Sequence, residues 1–383
     1  MRDNSPQSTP AGALVFTTVL TRGPLSRVEI GELTGLSSAT VTKATRPFLD
    51  NGYLVEEAAE GPAGRGRPRS PLAIRADREF FLGVKVTAAE LIAVLTDLRA
   101  GVCDTRRVPL ASCSPHDVVA AVTALVDELL ADPGRRARTR TLGLSVSGDI
   151  NRAAGVVRSS PFLGWADVPL AELVRAGTGL SVLVENDVKA LTAAERWFGS
   201  GLGASSFALV TVGTGVGCGL VVNGALVAGS HGVAGELGHV PVVADGPRCP
   251  CGRTGCVEAV ASERAILARA REVGGPDLTL QEAVLAARSG DEPLRAVFAE
   301  AGRAIGLGLA ALANLVGPER VVVTGEGLAA YDLIGESLRG TFEAHAFGAA
   351  ARCAVELRAL SFEDWARGAA VVGIEALLQP TVL

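Results

Sequence analysis

Four residues that favour a soft divalent metal lie close together in this chain: His239, Cys249, Cys251 and Cys256 fall within eighteen residues. Three thiolates and one imidazole suit a closed tetrahedral Zn²⁺ site. Gly246, Gly252 and Gly255 let so short a loop fold back around a single ion. Three of the chain's seven cysteines and one of its four histidines converge here. That convergence argues against unrelated surface thiols beside a stray histidine. Glu236 and Glu258 flank the cluster, held near the metal without having to ligate it.

A chain of 383 residues with 48% hydrophobic content has room for two or three domains with sizeable cores. Its net charge of −5 argues against one large nucleic-acid-binding surface. The charge is uneven, however. Residues 1–78 carry ten Lys/Arg against eight Asp/Glu, a net of +2, which leaves −7 for the remainder. Any DNA contact is therefore expected in the head. The start, Met1-Arg2-Asp3-Asn4-Ser5-Pro6, has no apolar core of a signal peptide. Cys103, Cys113, Cys218 and Cys353 stand apart and, with the metal cluster, fit a reducing cytoplasm better than a disulfide framework. The uncharged run Trp197–Gly235 contains eleven glycines. It reads as buried sheet and loops, not as a membrane helix.

In the head, Ala13–Leu20 predicts a helix. Ser26–Leu33 predicts a second, with Ser26 as N-cap and Glu29 as its capping-box partner. Gly35 makes a turn, and Ser37 or Ser38 caps a third helix that reaches about Asn51. Val41, Ala44/Thr45 and Phe48 form its buried face. Ser38, Thr40, Thr42, Lys43 and Arg46 line the opposite face, as suits a helix entering the major groove. Pro47 is expected to kink the helix beyond those residues. Tyr53–Glu56 and Pro71–Ile74 read as the strands of a wing whose tip is Gly64-Arg65-Gly66-Arg67-Pro68-Arg69. Arg65 and Arg67 could enter a narrow minor groove; the alternative for the tip is a charged linker.

In the body, Phe81–Val86, Leu91–Thr96 and Val102–Leu110 predict three strands, His116–Leu130 a helix, and Thr141–Ser147 and Val182–Glu185 further strands. A helix follows over Val188–Phe198. The plan then repeats: a strand Phe207–Val212, a glycine run Gly213–Gly219, a hairpin turning at Asn223-Gly224, helices around Arg264–Arg271 and Arg303–Leu315, and a strand Arg320–Thr324. A last helix, Glu363–Leu378, is expected to return to the first lobe. Such duplicated lobes are similar to the actin-like (sugar kinase/Hsp70) α/β fold, in which a ligand binds between two lobes. The expected division is a winged helix-turn-helix at 1–78, a first lobe at 79–192 completed by 363–383, and a second lobe at 193–362 that bears the zinc site and a dimerisation surface.

The step Glu236-x-x-His239, the run Cys249-x-Cys251-Gly252-x-x-Gly255-Cys256 and Glu258 two residues on together resemble the signature of the ROK family, named for repressors, open reading frames and sugar kinases. The head, with its Gly-Arg-Gly-Arg-Pro tip, resembles the winged helix-turn-helix of that family's repressors. The resemblance implies that Asn186 and Asp187 meet sugar hydroxyls, Asp187 being the general base in the kinases. It implies that Glu236 and Glu258 accept hydroxyl hydrogen bonds, that His239 turns one ring nitrogen to zinc and the other to the sugar, and that Gly148 brings backbone close to it. Asp187 could instead cap a helix, and Glu258 could simply begin one. Kinases of the family carry a phosphate loop of the form Asp-x-Gly-Gly-Thr-Lys after the first strand. Here that place reads Lys85-Val86-Thr87-Ala88-Ala89-Glu90, while the second glycine run, Gly213–Gly219, is kept. Phe162 departs from the polar residue that many relatives carry there.

Phosphoryl transfer depends almost wholly on positioning and electrostatics. A general base without a complete phosphate cradle keeps the smaller share of catalysis. The expectation is therefore a sugar-responsive ROK-type regulator, a cytoplasmic homodimer or tetramer that binds operator DNA and a sugar or sugar phosphate, with structural Zn²⁺ and no enzymatic activity. The rivals are an ATP-dependent sugar kinase with an added head, and a DNA-binding protein whose body only dimerises.

Overall fold

The computed structural model describes residues 9–57 and 70–378. It divides into two compact units, residues 1–202 with 362–383, and residues 203–361. The expected boundary at 192 falls inside a helix, Asp187–Phe198, which stays whole in the first unit because its buried face packs there.

The head opens with α1 (Pro10–Arg22), α2 (Arg27–Thr34) and α3 (Ser38–Asp50). The capping box forms as the sequence indicates: Glu29 N donates to Ser26 Oγ at 3.3 Å, and Ser26 N donates to Glu29 Oε2 at 2.7 Å. Ser37, not Ser38, caps α3, its hydroxyl accepting from Thr40 N at 3.2 Å. The helix runs on through Pro47 to Asp50. Phe16 stacks on Phe48 at 4.6 Å and meets Tyr53 edge-on at 6.2 Å, which ties α1 to α3 and to the start of the wing. Strands β1 (Leu54–Glu56) and β2 (Leu72–Ile74) pair antiparallel, with Val55 opposite Ala73. The tip between them, with Arg65 and Arg67, lies outside the described residues.

Head and body join without a free linker. A single 3₁₀ turn, Ala76–Arg78, leads from the wing into the body's first strand. Buried Tyr53 donates to Glu79 Oε2 at 2.7 Å, Arg78 Nε donates to Asn51 O at 2.9 Å, and Leu98 N donates to Ala76 O at 3.0 Å. Burial first, and then the Glu79 carboxylate, push the Tyr53 hydroxyl well above its ordinary pKa. Apolar contact is continuous from Val15, Phe16 and Phe48 to Phe81, Ile92 and Leu98 in the body.

The body of the first unit is built on β3 (Phe80–Val86), β4 (Glu90–Thr96), β5 (Val102–Pro109), α4 (Pro115–Leu129), α5 (Pro133–Ala137) and β6 (Thr139–Val146). A small antiparallel sheet follows, β7 (Asp149–Asn151), β8 (Val156–Ser160) and β9 (Trp165–Val168), then α6 (Leu170–Thr178), β10 (Ser181–Asn186) and α7 (Asp187–Phe198). The main sheet runs β10-β6-β3-β4-β5, with β3, β6 and β10 parallel and β4 and β5 antiparallel. Its central strands alternate. Leu82, Val84 and Val86 face one apolar layer with α4 and α6, while Phe81, Gly83 and Lys85 face the C-terminal helix Phe362–Leu378. Gly83 and Gly143 stand opposite each other in register, and the helix backbone lies directly on them. A Cβ on Gly83 would sit 2.0 Å from Ala366 O, and one on Gly143 would sit 1.9 Å from Ala369 O.

The second unit repeats the sheet plan. It contains β11 (Phe207–Val212), β12 (Val216–Val222), β13 (Ala225–Leu226), α8 (Val257–Ala261), α9 (Glu263–Gly274), α10 (Leu280–Arg288), α11 (Glu292–Val316), β14 (Arg320–Thr324), α12 (Tyr331–His345) and β15 (Ala354–Leu357). The sheet order is β13-β12-β11-β14-β15, with β11, β14 and β15 parallel. The Asn223-Gly224 hairpin has φ of +51° and +71°, as a type I′ turn requires. Half of the expected Gly213–Gly219 loop is strand: only Gly213–Gly215 turns, and β12 begins at Val216. Among the described residues α11 is the one helix long and apolar enough to cross a bilayer. Ala301, Ile305 and Leu309 on it are instead buried in this unit's core.

These contacts set an expectation for two glycines. Gly143→Ala forces a methyl against fixed backbone and should lower stability by about 1–3 kcal/mol or more. Gly340→Ala meets nothing within 4 Å on α12. It should raise stability by roughly 0.5–1 kcal/mol. Chemical denaturation of both variants beside the parent checks the two signs.

Candidate functional site

The metal cluster forms on a loop that folds back on itself. Gly255, at φ +69°, crosses so close to Val243 that a Cβ would fall 1.8 Å from Val243 O. Val242 N and Val243 N both donate to Gly255 O, and Cys249 N donates to Arg253 O at 2.7 Å. The result brings donor atoms of His239, Cys249 and Cys251 within 4.8 Å of one another. Cys256 Sγ lies 3.8 Å from Cys251 Sγ. This donor set, soft sulfur with one imidazole and inward-facing thiols, fits a metal ion. Burial pushes the Cys249 thiol up to about 12, and burial likewise raises Cys256. The backbone amide of Arg253 holds exposed Cys251 below its ordinary value. A metal binding here must displace protons from the two buried thiols.

His239 divides its ring between two neighbours. Nδ1 lies 3.6 Å from Cys249 Sγ, and Nε2 lies 4.0 Å from Glu236 Oε2. One nitrogen is thus turned to the cluster and the other towards a carboxylate that is half exposed. Glu258 sits in the first turn of α8, where its Oε2 accepts from Val216 N at 3.1 Å. It therefore begins a helix and also clamps the first residue of β12.

In the first unit, Asn186 rather than Asp187 caps α7: its Oδ1 accepts from Lys189 N at 3.1 Å. Its Nδ2 donates to Gly148 O at 3.0 Å, so the side chain ties α7 to the turn that follows β6. Gly148 has φ +135°, and a Cβ there would fall 2.2 Å from Ser159 O. The small β7–β9 sheet, which the sequence pattern did not reveal, creates that close approach.

Asp187 has a partner that sequence reasoning missed. Lys85 Nζ donates to Asp187 Oδ2 as an ion pair, both side chains only 9% exposed. Val188 N donates to the other oxygen, Oδ1, at 2.9 Å. Trp365 of the C-terminal helix covers the ammonium, its ring centroid 5.1 Å from Nζ. Removing one partner alone would strand a buried charge, a cost of roughly 3–5 kcal/mol. A signal was present: Lys85 is the lone charge in the apolar run Phe80–Val86, and buried lysines are paired. The following residues close a tight turn. Thr87 Oγ1 donates to Glu90 O at 2.8 Å and accepts from Glu90 N at 3.0 Å, while Glu90 pairs with Arg107.

Several arginine–carboxylate pairs lie in this unit. Arg152 Nη1 reaches Glu185 Oε2 at 2.9 Å, Arg158 reaches Asp149 at 3.1 Å, and Arg196 reaches Glu375 at 3.2 Å. Burial pushes the Glu375 carboxyl upward, against the lowering effect of Arg196.

On the head, Ser38, Thr42, Lys43 and Arg46 are exposed along one face of α3, and Thr40 is half-buried. Thr40 Oγ1 is 2.8 Å from Ser37 Oγ, and Thr42 Oγ1 donates to Ser38 O at 2.9 Å. Arg46 makes only a long i,i+4 contact with Asp50, 3.8 Å, so its guanidinium stays largely available.

Comparison with known proteins agrees with this fold. A solved ROK family transcriptional regulator, a homologue of the Escherichia coli Mlc protein, superposes with a TM-score of 0.81 at 25% identity, over 98% of this chain and 97% of that one. A ROK family glucokinase from Streptomyces griseus, solved with glucose and AMPPNP, gives a TM-score of 0.64 at 29% identity, over 76% of this chain and 98% of its own. The xylose repressor of Caldicellulosiruptor bescii is 27% identical over 352 residues, 87% of each chain. The solved regulator matches over nearly the whole chain, head included, whereas the kinase matches without about a quarter of it. The sequence profile of the ROK family covers residues 81–380, and the chain belongs to that family.

Proposed function

We propose that this protein is a sugar-responsive transcriptional regulator, acting as a repressor, whose body has the kinase fold without kinase chemistry. One observation carries the reading: Asp187 is held by Lys85 and by Val188 N, in a chain that begins with a winged helix-turn-helix. A general base must be free to take a proton from the attacking hydroxyl. Here both oxygens are engaged, one by Lys85 and the other by Val188 N. The place of the first phosphate loop is occupied by a self-bonded turn at Thr87–Glu90 that offers no glycine backbone to phosphates. The similarity to a xylose repressor and to a solved ROK regulator over nearly the whole chain supports regulation over catalysis.

In this reading α3 enters the major groove with Ser38, Thr40, Thr42, Lys43 and Arg46, and Arg65 and Arg67 of the wing tip reach the minor groove. The effector is a small sugar; the residues that the family resemblance implies for its hydroxyls are Gly148, Asn186 and Asp187 in the first unit, and Glu236, His239 and Glu258 in the second. Zn²⁺ on His239, Cys249, Cys251 and Cys256 would fix the imidazole so that Nε2 faces the sugar. One head contacts too little DNA for tight binding, so the protein works as a cytoplasmic homodimer on two half-sites.

Metal analysis of unchelated protein should give about one zinc per chain. Cys251→Ser should lose it and unfold at lower temperature; a variant that kept full zinc and stability would remove Cys251 from the set.

Lys43→Ala and Arg46→Ala should each weaken binding to the protein's own promoter fragment, and loss of a base contact costs about 1–3 kcal/mol. Fluorescence anisotropy at fixed salt reads this directly. A coupled assay with ATP and a sugar panel should show no turnover above background. Ordinary kinase rates, about 1–100 s⁻¹, would overturn the regulator reading in favour of the kinase.

A further inference from the structure

We infer that the effector is an uncharged, unphosphorylated sugar, and that the Lys85–Asp187 pair sets this preference. The inference rests on the proposed sugar-sensing role of Asn186 and Asp187 and narrows its ligand class. A phosphorylated ligand needs cationic charge or free backbone amides to replace the water around a dianion. The charges near Asp187 offer no surplus. Lys85 is matched by Asp187, Arg152 by Glu185 and Arg158 by Asp149. Lys189 is 5% exposed and already engaged within the protein. The amides are spent as well. Val188 N is bonded to Asp187, Lys189 N to Asn186 Oδ1, and Asn186 N to Glu185 Oε1 at 2.9 Å. At the N-terminus of α7 these three amides are taken by side chains of the same segment and are not offered to an anion.

A neutral hydroxyl asks for much less. Each oxygen of Asp187 makes one hydrogen bond within the protein and keeps a second acceptor site, since an ionised carboxylate offers about four. Lys85 holds that carboxylate in place and balances its charge. A phosphate there would meet Asp187 and Glu185, whose partners Lys85 and Arg152 are already paired. Lys85 is thus a positioning residue for Asp187, and the pair discriminates against anionic sugars by leaving them unpaired.

The test uses calorimetry on the full-length, zinc-loaded protein with glucose, mannose, xylose and N-acetylglucosamine, and with the 6-phosphates of the three hexoses. At least one neutral sugar should bind, and a hexose that binds should do so at least tenfold more tightly than its 6-phosphate. Asp187→Asn leaves the Lys85 ammonium unmatched, and the ratio of the two affinities should move at least tenfold towards the phosphate. The double variant Lys85→Met with Asp187→Asn removes that ammonium and should return the ratio to the neutral form. Reading a ratio within one variant separates specificity from a general loss of folding, which circular dichroism monitors. If Asp187→Asn does not fold, the wild-type ratio decides alone. Equal or tighter binding of a 6-phosphate by the wild type overturns the inference and leaves the sugar-sensor reading standing. An unmoved ratio in a folded Asp187→Asn protein removes the role of the pair. Binding of no sugar in either form sinks the sensor reading together with the inference.

Discussion

The C-terminal helix lying on Gly83 and Gly143 is the contact on which the first unit depends. Its carbonyls approach β3 and β6 so closely that no side chain fits between them. Val371, Val372 and Ile374 are fully buried there, and each contributes roughly 1.5–3 kcal/mol by leaving water. The chain must therefore leave the first unit after Leu202, build the whole second unit, and return at Phe362. Neither the β3–β6 face nor α7 is covered until the last twenty residues or so have been placed. The same helix brings Trp365 over Lys85, so closing the core also seals the ion pair.

On the proposed reading, that seal is how the fold serves recognition in place of catalysis. A carboxylate at the end of β10 can act as a base only while it is unencumbered. Once a lysine from the neighbouring strand bonds it, desolvation favours keeping the pair intact, since separating either charge is costly. The carboxylate persists as a fixed acceptor. The Thr87 turn, self-bonded through its hydroxyl, is a stable way to finish a β3–β4 hairpin when no phosphate must be bound.

The head is part of the same mechanical system. Strand β3 carries Lys85 near one end and begins, at the other, directly after the 3₁₀ turn that ends the wing. Tyr53–Glu79 and the continuous apolar cluster resist independent motion of the head on the body. A ligand can act on the heads only through its differential affinity for two states of the protein, and couplings of this kind are typically about 1–3 kcal/mol. A stiff junction passes such a small energy on without losing it to hinge freedom.

What the sequence by itself determined was local. The Ser26–Glu29 capping box, the Asn223-Gly224 turn, the alternating strands and the clustering of His239 with three cysteines are all written in short-range patterns, because caps, turns and metal loops involve residues close along the chain. The repeated sheet plan followed from the order of those elements. Other features were settled by contacts far apart in sequence. Short strands such as β7–β9 form only because they pair with one another; α10, by contrast, carries a local signal in its Thr279–Glu282 capping box that sequence reasoning missed. The division after Leu202 follows from α7 packing under a helix more than 160 residues later. Asn186 became the cap, and Asp187 the partner of Lys85, because tertiary folding brings together residues 102 positions apart. A lysine buried in a strand announces that it needs a counter-charge, by the cost of desolvation, but which carboxylate answers is decided only by the folded sheet.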